Sequence, residues 1–446
     1  MTSRKVSSRS SAAAWIALAL LVVPMFGSYF FDDMFSTVSN IFSDPSMLEL
    51  GWNEAAYGKY TSGYSILCIF GGLVICGMLL DKWGVRITGS VFVGLMTAGA
   101  GMVTWAITSG MAPEASLNVA WAGCMVFGLG SEIAGVAVTR SIAKWFKGGS
   151  MALAMGLQLA IARLGTAFAF LISPVLIREK AGVYTLAETA RPAWLGLILL
   201  LAGCIFWAVF VAMDARFDRE RGLLDKVETA ESDKFRFRDV VKVVGSRNWW
   251  LLALLCVFFY SSIVAFKKFT GAILVPRFGV SSQAAGMMAT ILPFSTVVFA
   301  PLFGLMVDRK GRGTTWMMLG AALSLAAHLL IGFAPEGKPF FGYFSMILLG
   351  FAYSLVPAAM WPSVPKIIPE KLLGTAYALI YWVQNLGLWG FKRIAGNILE
   401  DSTPVRAEFM FMGVCVVALL LSWLFARSSK KHPELALDEP NKPGTP

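Results

Sequence analysis

The chain has 446 residues, of which 57% are hydrophobic and 15% are charged, and its formal net charge at pH 7 is +11. A soluble globular protein carries about 25% charged residues, so this composition excludes that class. Apolar runs of about 20 residues recur along nearly the whole chain, and each is long enough to cross a hydrocarbon core of about 30 Å. The sequence therefore predicts an all-α integral membrane protein.

The lengths of the apolar runs predict twelve transmembrane helices, numbered spans 1 to 12. In chain order they cover residues 13–35, 55–80, 87–108, 117–142, 151–176, 193–213, 249–274, 285–307, 314–333, 340–361, 372–394 and 407–425. The longest polar stretch follows span 6 and divides the spans into two groups of six. We therefore expect an N-terminal six-helix bundle at 1–213, a cytoplasmic linker at 214–248, a C-terminal six-helix bundle at 249–426 and a cytoplasmic tail at 427–446.

The basic residues are placed unevenly along the chain. Most of them fall before span 1, in the loops after spans 2, 4, 6, 8 and 10, and after span 12. Because loops rich in lysine and arginine stay on the cytoplasmic side, this pattern predicts that both termini are cytoplasmic. The positive charge thus reflects the topology in the lipid bilayer, and we expect no nucleic-acid partner.

No motif of the sequence predicts catalysis. All six cysteines fall inside apolar spans, where they are typical of packed side chains, and the chain has only two histidines. His328 lies within span 9 and is expected to be a packed side chain with satisfied hydrogen bonds rather than a proton carrier. No phosphate-binding loop or metal-ligating motif occurs. We therefore expect no cofactor, no metal and no enzymatic activity.

A short motif occurs twice at matching positions. The segment GMLLDKWGVR follows span 2 and GLMVDRKGR follows span 8, so that Asp81 and Asp308 lie 227 positions apart. The glycines permit close helix approach, and the carboxylates can meet the positive ends of neighbouring helices. These motifs resemble the loop signature of the major facilitator superfamily. The resemblance implies two six-helix bundles related by a pseudo-two-fold axis, with a central site reached alternately from each side. It also implies a cytoplasmic latch of gating residues, which would be Asp81, Lys82, Arg86, Asp308, Arg309 and Arg312.

Two opposite charges lie deep in consecutive spans. Glu132 is about 11 residues from the cytoplasmic end of span 4 and Arg163 is about 13 residues into span 5, which gives depths of roughly 16 and 20 Å at about 1.5 Å per residue. Each charge alone costs roughly 2.5 kcal/mol or more at the bilayer centre, so neither is expected to face lipid. The two residues form either a structural ion pair or part of a polar cavity.

A comparison of the two halves of the chain favours the cavity. A shift of 222 positions, which aligns the Leu-Gly pairs of spans 5 and 11, places Asn385 at the position of Arg163 and Ser354 at that of Glu132. Polar residues at both positions in both halves are what a central substrate cavity requires. Further candidates for its lining are Gln158, Gln384 and Tyr381.

A cavity with one carboxylate and one guanidinium suits a zwitterionic substrate. Arg163 can bind a carboxylate through two parallel hydrogen bonds, and Glu132 can bind an ammonium group. This predicts a transporter of amino acids or short peptides. Two alternatives stay open. One is a proton-coupled symporter of amino acids or organic anions, in which Glu132 or Asp33 would titrate, and the other is a non-transporting membrane sensor or assembly protein.

Several longer segments are similar to one branch of the superfamily. They are FGSYFFDD at 26–33, WFKGG at 145–149, GLQLAIARLG at 156–165, FGVSSQAA at 278–285 and GTAYALIYWVQNLGL at 374–388. Together they resemble the lysosomal dipeptide uniporters, which implies uniport of dipeptides with Glu132 and Arg163 as substrate-binding residues. The chain lacks an acidic dileucine signal near its start and any feature that indicates the accessory subunit of that family, which makes this partner doubtful. We expect a bacterial inner membrane as the location.

Five more charged side chains fall near or within the spans. Asp32 and Asp33 end span 1 and form either an exposed helix end or part of a gate or proton-coupling site. Lys267 and Lys268 lie within span 7, where one of them is expected to face the cavity unless the helix is broken. Lys392 lies near the predicted end of span 11, so its side chain is expected to extend to the membrane interface.

Overall fold

The computed structural model of the protein describes residues 3–47, 50–146, 150–177, 183–221 and 237–440. In this part of the chain nearly all residues are helical, and eleven helical segments are long and apolar enough to cross a membrane. They are spans 1 to 10 and span 12. Their bounds are Ala12–Ser43, Glu54–Leu80, Lys82–Thr108, Pro113–Trp145, Leu153–Leu176, Leu186–Arg219, Arg247–Lys268, Ser282–Lys310, Gly313–Phe333, Pro339–Ile367 and Pro404–Lys431.

Span 11 is the helix Leu373–Asp401 and has 29 residues. It is less apolar than the other spans because three amide and four charged side chains lie within it. The helix continues beyond its expected end at residue 394, since Ala395, Gly396 and Leu399 remain buried in the protein. With this helix the expected all-α fold of twelve membrane-crossing helices is confirmed.

Span 2 is interrupted near its middle. The α-helix Glu54–Leu67 is followed by a π-helical turn at Cys68–Gly72, after which the α-helix resumes at Leu73. Gly71 has a φ of 88°, a left-handed conformation that glycine adopts without steric cost. The interruption follows directly after the turn of helix that carries Tyr64.

Span 7 is interrupted twice. Its pieces are Arg247–Tyr260, the π-helical turn Ser261–Ala265, the short helix Phe266–Lys268 and, after Phe269, the helix Thr270–Phe278. Phe269 has φ −111° and ψ 20°, outside the helical range. Span 7 is thus broken directly after Lys267 and Lys268. The break does not expose these lysines, as it would have been expected to do, because both side chains are buried.

Shorter helical pieces lie at the ends of spans, between spans or after span 12. They are Ser36–Ser43, Leu186–Thr189, Phe237–Val244, Trp361–Ser363, Val364–Ile367, Glu370–Leu372 and Pro433–Leu435. Residues 222–236 of the expected linker lie outside the described part of the chain. The exact boundaries of the two bundles therefore stay predictions.

The spans pack as two bundles of six. In the N-terminal bundle span 1 packs against spans 5 and 6, and span 4 packs against spans 2 and 3. The same pairs recur six spans later, because span 7 packs against spans 11 and 12 and span 10 packs against spans 8 and 9. The bundles meet where span 2 contacts span 11 and span 5 contacts span 8, and these two contacts exchange under the same shift. This is the pseudo-two-fold arrangement that the resemblance implied.

The molecule has two ends along the direction of the spans. We call one of them the linker end, because the chain enters and leaves the linker after span 6 there; the loops after spans 2, 4, 8 and 10 lie at the same end. The closed end is the opposite one, where the last residues of span 1 contact span 7, and the segment Ser36–Ser43 packs against Thr270–Phe278. A Cβ on Gly271 would lie 2.7 Å from the carbonyl oxygen of Thr37, so the two backbones are in direct contact there.

The chain after span 12 folds back onto the linker end of the C-terminal bundle. The Asp438 carboxylate accepts 2.9 Å hydrogen bonds from the backbone amide and the hydroxyl of Thr314, at the start of span 9. The backbone amide of Arg312 donates to the carbonyl oxygen of Asp438 at 2.8 Å, and Leu437 is buried beside them. The Lys366 ammonium donates to the carbonyl oxygen of Ala436 at 3.0 Å. This docked tail, residues 433–440, thus holds the loop after span 8.

Candidate functional site

The Glu132 side chain is held by hydrogen bonds within the N-terminal bundle. Its Oε1 atom accepts a 3.0 Å hydrogen bond from the hydroxyl of Tyr64 in span 2. The Ser131 hydroxyl lies 3.2 Å from the same tyrosine oxygen and 2.6 Å from the hydroxyl of Ser28 in span 1. A Cβ on Gly128 would lie 2.2 Å from the carbonyl oxygen of Tyr64, so glycine is required for spans 2 and 4 to approach this closely. Three spans therefore fix the position of the carboxylate.

The Arg163 side chain lies between aromatic rings of both bundles. Its guanidinium carbon is 5.6 Å from the ring centroid of Tyr29 in span 1 and 5.0 Å from that of Tyr353 in span 10. At these distances the ring faces attract the cation. The Nε atom is buried and has no hydrogen-bond partner in the described part of the chain. Arg163 therefore lies at the interface of the two bundles, and its Nε–H group is free to donate a hydrogen bond to a ligand.

Glu132 and Arg163 do not form an ion pair with each other. Both side chains are half-buried, and among the residues that the structure describes neither has an oppositely charged partner at ion-pair distance. The contacts they do make are with tyrosines. The structural ion pair considered for these residues is therefore absent, and both charges remain available to a ligand.

Aromatic side chains of the C-terminal bundle continue from Arg163. Trp361 stacks on Tyr381 with ring centroids 5.1 Å apart, and its Nε1 atom donates to the hydroxyl of Tyr260 at 3.1 Å. Tyr260 meets Tyr353 edge-on at 6.0 Å. Tyr381, one of the expected lining residues, is 43% exposed. An aromatic surface thus connects this exposed tyrosine with the guanidinium.

The four remaining lining candidates use their polar groups in different ways. Ser354 is buried and donates to the carbonyl oxygen of Gly350 in its own helix at 2.8 Å. Asn385 is also buried and donates to the carbonyl oxygen of Tyr381 at 3.1 Å. Gln384 accepts a 3.5 Å hydrogen bond from the thiol of Cys256. Gln158 is half-buried. The structure shows none of these four in contact with Glu132 or Arg163, so their role in substrate binding stays a prediction.

The closed end is held by charges that the sequence left unpaired. Asp33, which is 1% exposed, accepts a 2.7 Å hydrogen bond from Lys267 and a 2.8 Å hydrogen bond from Lys268. Asp32 forms a 2.7 Å ion pair with Lys268. Thr166 in span 5 also donates to Asp33, at 2.8 Å. These ion pairs join span 1 to span 7, and thus one bundle to the other.

Lys392 is not at the membrane interface, and that expectation is wrong. The side chain is 2% exposed, its Nζ atom donates to the carbonyl oxygen of Thr61 at 3.3 Å, and it lies 5.4 Å from the ring centroid of Tyr64. The expectation failed because the helix continues nine residues further, to Asp401. Lys392 is therefore a third charged side chain beside the candidate site, and it is buried.

The expected latch residues lie at the linker end. Arg86 pairs with Asp218 at 2.9 Å and with Asp214 at 3.6 Å, both at the end of span 6 and thus in its own bundle. Arg312 is fixed by the docked tail. Lys82, Asp308 and Arg309 are exposed, and the side chain of Asp81 lies outside the described part of the structure. No latch contact between the bundles is described, so this role stays a prediction.

His328 is fully buried and packed between aromatic rings. Its Nδ1 atom lies 2.7 Å from the carboxylate of Glu408 in span 12, and its ring stacks on Phe411 with centroids 5.3 Å apart. Phe266, directly before Lys267 and Lys268, meets the same imidazole edge-on. The residue is packed, as expected, although its Nε2 atom has no partner in the described part of the chain.

The chain matches the family model described as Major Facilitator Superfamily over residues 25–270 and 269–446. The crystal structure of the nucleoside transporter NupG shares the fold with a TM-score of 0.69 over 93% of this chain and 99% of that one, at 15% sequence identity. At this identity the likeness concerns the fold alone.

Two named relatives are more similar in sequence. The lysosomal dipeptide transporter MFSD1 of Bos taurus is 31% identical over 417 residues, which cover 91% of this chain and 84% of the relative. The protein of the same name from Homo sapiens is 30% identical over 413 residues, with the same shares of each chain covered.

Proposed function

Because the chain belongs to the major facilitator superfamily of membrane transporters, we propose that it carries dipeptides or similar small zwitterions across the membrane by alternating access. The observation that carries the proposal is that Glu132 and Arg163, opposite charges on consecutive spans, have no ionic partner among the described residues. A zwitterion supplies a partner for each of them at once.

The energetic argument concerns the cost of unpaired charge inside a membrane protein. Removing an ion from water costs several kcal/mol, about as much as is regained when a well-placed counter-charge is bound. Arg163 presents a planar fork of donors that matches a carboxylate, and Glu132 presents the oxygen that Tyr64 leaves free. The substrate thus completes two interactions that the protein alone leaves incomplete.

The relatives support the substrate class. Both are named as dipeptide transporters, and their similarity extends over nine-tenths of this chain. The NupG structure supports the transporter fold but not a substrate, because its name specifies nucleosides and its sequence is only 15% identical. The choice of dipeptides rests on the named relatives and on the charges of the site together.

The transport cycle follows from the position of the closed end. We assign the linker end to the cytoplasm because the basic loops lie there. The structure is then the state closed toward the outside, in which Asp33 holds Lys267 and Lys268. Opening to the outside requires these ion pairs to separate. The repeated motifs after spans 2 and 8 would then close the cytoplasmic side.

A thermal-shift series tests the substrate site. Purified wild-type protein, Glu132→Gln and Arg163→Ala are heated with alanine, the dipeptide Ala-Ala and the tripeptide Ala-Ala-Ala. We expect Ala-Ala to stabilise the wild type, since a ligand at 100 times its Kd contributes about 2.7 kcal/mol. Both substitutions are expected to abolish this shift. Glu114→Gln, at an exposed position of the same helix, is the matched control and should keep it. Equal stabilisation of all four proteins would remove the site assignment.

Transport assays separate the remaining functions. Counterflow of labelled Ala-Ala in proteoliposomes is expected for a uniporter and should not depend on a proton gradient. Uptake that follows an imposed pH gradient would instead indicate proton-coupled symport. A thermal shift without counterflow would indicate a sensor that keeps the fold.

A further inference from the structure

Lys392 is the buried charge that substrate binding does not explain. It comes from the C-terminal bundle, yet it reaches span 2 of the N-terminal bundle. An ammonium group has three donors, and the structure gives this one a single hydrogen bond, to the carbonyl oxygen of Thr61 at 3.3 Å. Among the residues that the structure describes, no carboxylate lies at ion-pair distance from it.

The nearby acidic residues are already engaged or lie one side chain away. Asp32 attracts Lys392, but Lys268 holds Asp32 in an ion pair and itself repels Lys392. Glu132 is reached through Tyr64, whose hydroxyl donates to the carboxylate at 3.0 Å and whose ring lies 5.4 Å from the ammonium. Lys392 and Glu132 thus contact the same tyrosine, Lys392 at its ring and Glu132 at its hydroxyl.

Tyr64 links the two charges physically. A phenol that donates its hydrogen bond to a carboxylate has a more electron-rich ring, and such a ring attracts a cation more strongly. While the carboxylate is charged, the hydrogen bond from Tyr64 to Glu132 and the contact of Lys392 with the Tyr64 ring therefore strengthen each other. When a substrate ammonium neutralises Glu132, the attraction on Lys392 weakens.

The position of Lys392 depends on closure of the molecule. One turn further along the helix, Gly396 meets Gly58 of span 2, and a Cβ on Gly396 would lie 2.6 Å from the carbonyl oxygen of Glu54. This backbone contact between the bundles places Lys392 over Tyr64. A separation of spans 2 and 11 at this contact would move the ammonium away from the ring.

We infer that Lys392 is the internal counter-cation of Glu132 in the empty carrier. In the loaded carrier the substrate ammonium partners Glu132, and in the empty carrier Lys392 supplies this positive charge through Tyr64. A uniporter must change conformation both with and without substrate, and the empty step would otherwise bury an uncompensated carboxylate. Lys392 is thus a positioning residue for the return of the empty carrier, and the inference rests on the proposed dipeptide transport.

The test separates net transport from exchange, because only net transport uses the empty step. Wild type, Lys392→Met and Lys392→Arg are reconstituted in proteoliposomes, and labelled Ala-Ala is followed as net efflux and as counterflow exchange. We expect Lys392→Met to lower net efflux at least tenfold while counterflow stays within twofold of the wild type. Lys392→Arg keeps the charge and is expected to retain net efflux. Lys59→Met is the matched control, since this lysine of span 2 donates to Asn118 away from the site.

The outcomes are distinguishable from failure of the proposed function. If wild-type protein shows no counterflow of Ala-Ala, the dipeptide proposal fails. If the wild type exchanges Ala-Ala but Lys392→Met lowers efflux and counterflow equally, or lowers neither, the counter-cation role is refuted. Should Lys392→Met not fold, Lys392→Gln tests the same role, because it removes the charge and keeps a hydrogen-bond donor for the carbonyl oxygen of Thr61. It is expected to give the same split between efflux and exchange, and an equal effect on both would refute the role.

Discussion

The two ends of the molecule use ion pairs in opposite ways. At the closed end Asp33 binds Lys267 and Lys268, so the ion pairs run from one bundle to the other. At the linker end Arg86 binds Asp218 within the N-terminal bundle. A pair inside one bundle survives a rigid rotation of the bundles, whereas a pair between them must break. In the proposed transport cycle the ion pairs of the closed end would therefore have to break, whereas the pair at the linker end would not.

The largest effect is expected when the Asp33 carboxylate, which joins the two bundles at the closed end, is removed. Asp33→Asn leaves two buried lysines without their shared counter-charge, a loss of about 3–5 kcal/mol when one partner of a buried pair is removed. We expect the protein to shift toward the state open at this end. Labelling of an introduced Thr37→Cys by an impermeant maleimide measures the shift, because Thr37 is fully buried in the closed state. Asp401→Asn, at an exposed position, is the control, and equal labelling of both variants would contradict the gate.

The backbone contact at the closed end gives the next largest effect. Gly396→Leu places a side chain where even a Cβ lies 3.0 Å from the Cα of Gly58. Overpacking of about 1–3 kcal/mol corresponds to a loss of transport of up to roughly 100-fold. Gly390→Leu is the matched control in the same helix, since a Cβ there meets nothing within 4 Å. Counterflow of labelled Ala-Ala measures both, and similar rates would show that spans 2 and 11 need not meet.

The pair inside one bundle gives the smallest effect. Asp218→Asn weakens contacts with Arg86 and Lys144, of which Arg86 is 34% exposed, and such pairs contribute about 0–1 kcal/mol. We expect the melting temperature to fall by a few degrees at most and counterflow to stay within about twofold. A loss of transport as large as that of Asp33→Asn would mean that the linker-end pairs also change during the cycle.

The fold could be predicted from the sequence because the bilayer limits the possibilities. Spanning segments must be long, apolar and helical, so hydropathy located all twelve spans. The predicted end of span 11 was wrong because two adjacent charged residues, Lys392 and Arg393, interrupt the apolar pattern and resemble a helix end. The buried contact of Gly396 with Gly58, which keeps that helix inside the protein, depends on residues more than 300 positions apart.

The site could be predicted only in part. Glu132 and Arg163 were recognisable because charges inside apolar spans are costly and therefore rare. Their tyrosine partners were not, since an aromatic residue in an apolar span is usual. Lys392 was assigned to the wrong environment for the same reason as the helix end. The pairing of Asp33 with Lys267 joins residues 234 positions apart, which no local pattern reveals.

The docked tail ties residues 433–440, which follow span 12, to the first turn of span 9 and to the loop before it. Asp438 binds the first turn of span 9, and Leu437 fills the space beside the loop after span 8. Cleavage before Pro433, or a bulky fusion in its place, would release that loop without touching a single ligand contact. A partner that binds these residues would therefore change how firmly the loop after span 8 is held, at a distance from Glu132 and Arg163.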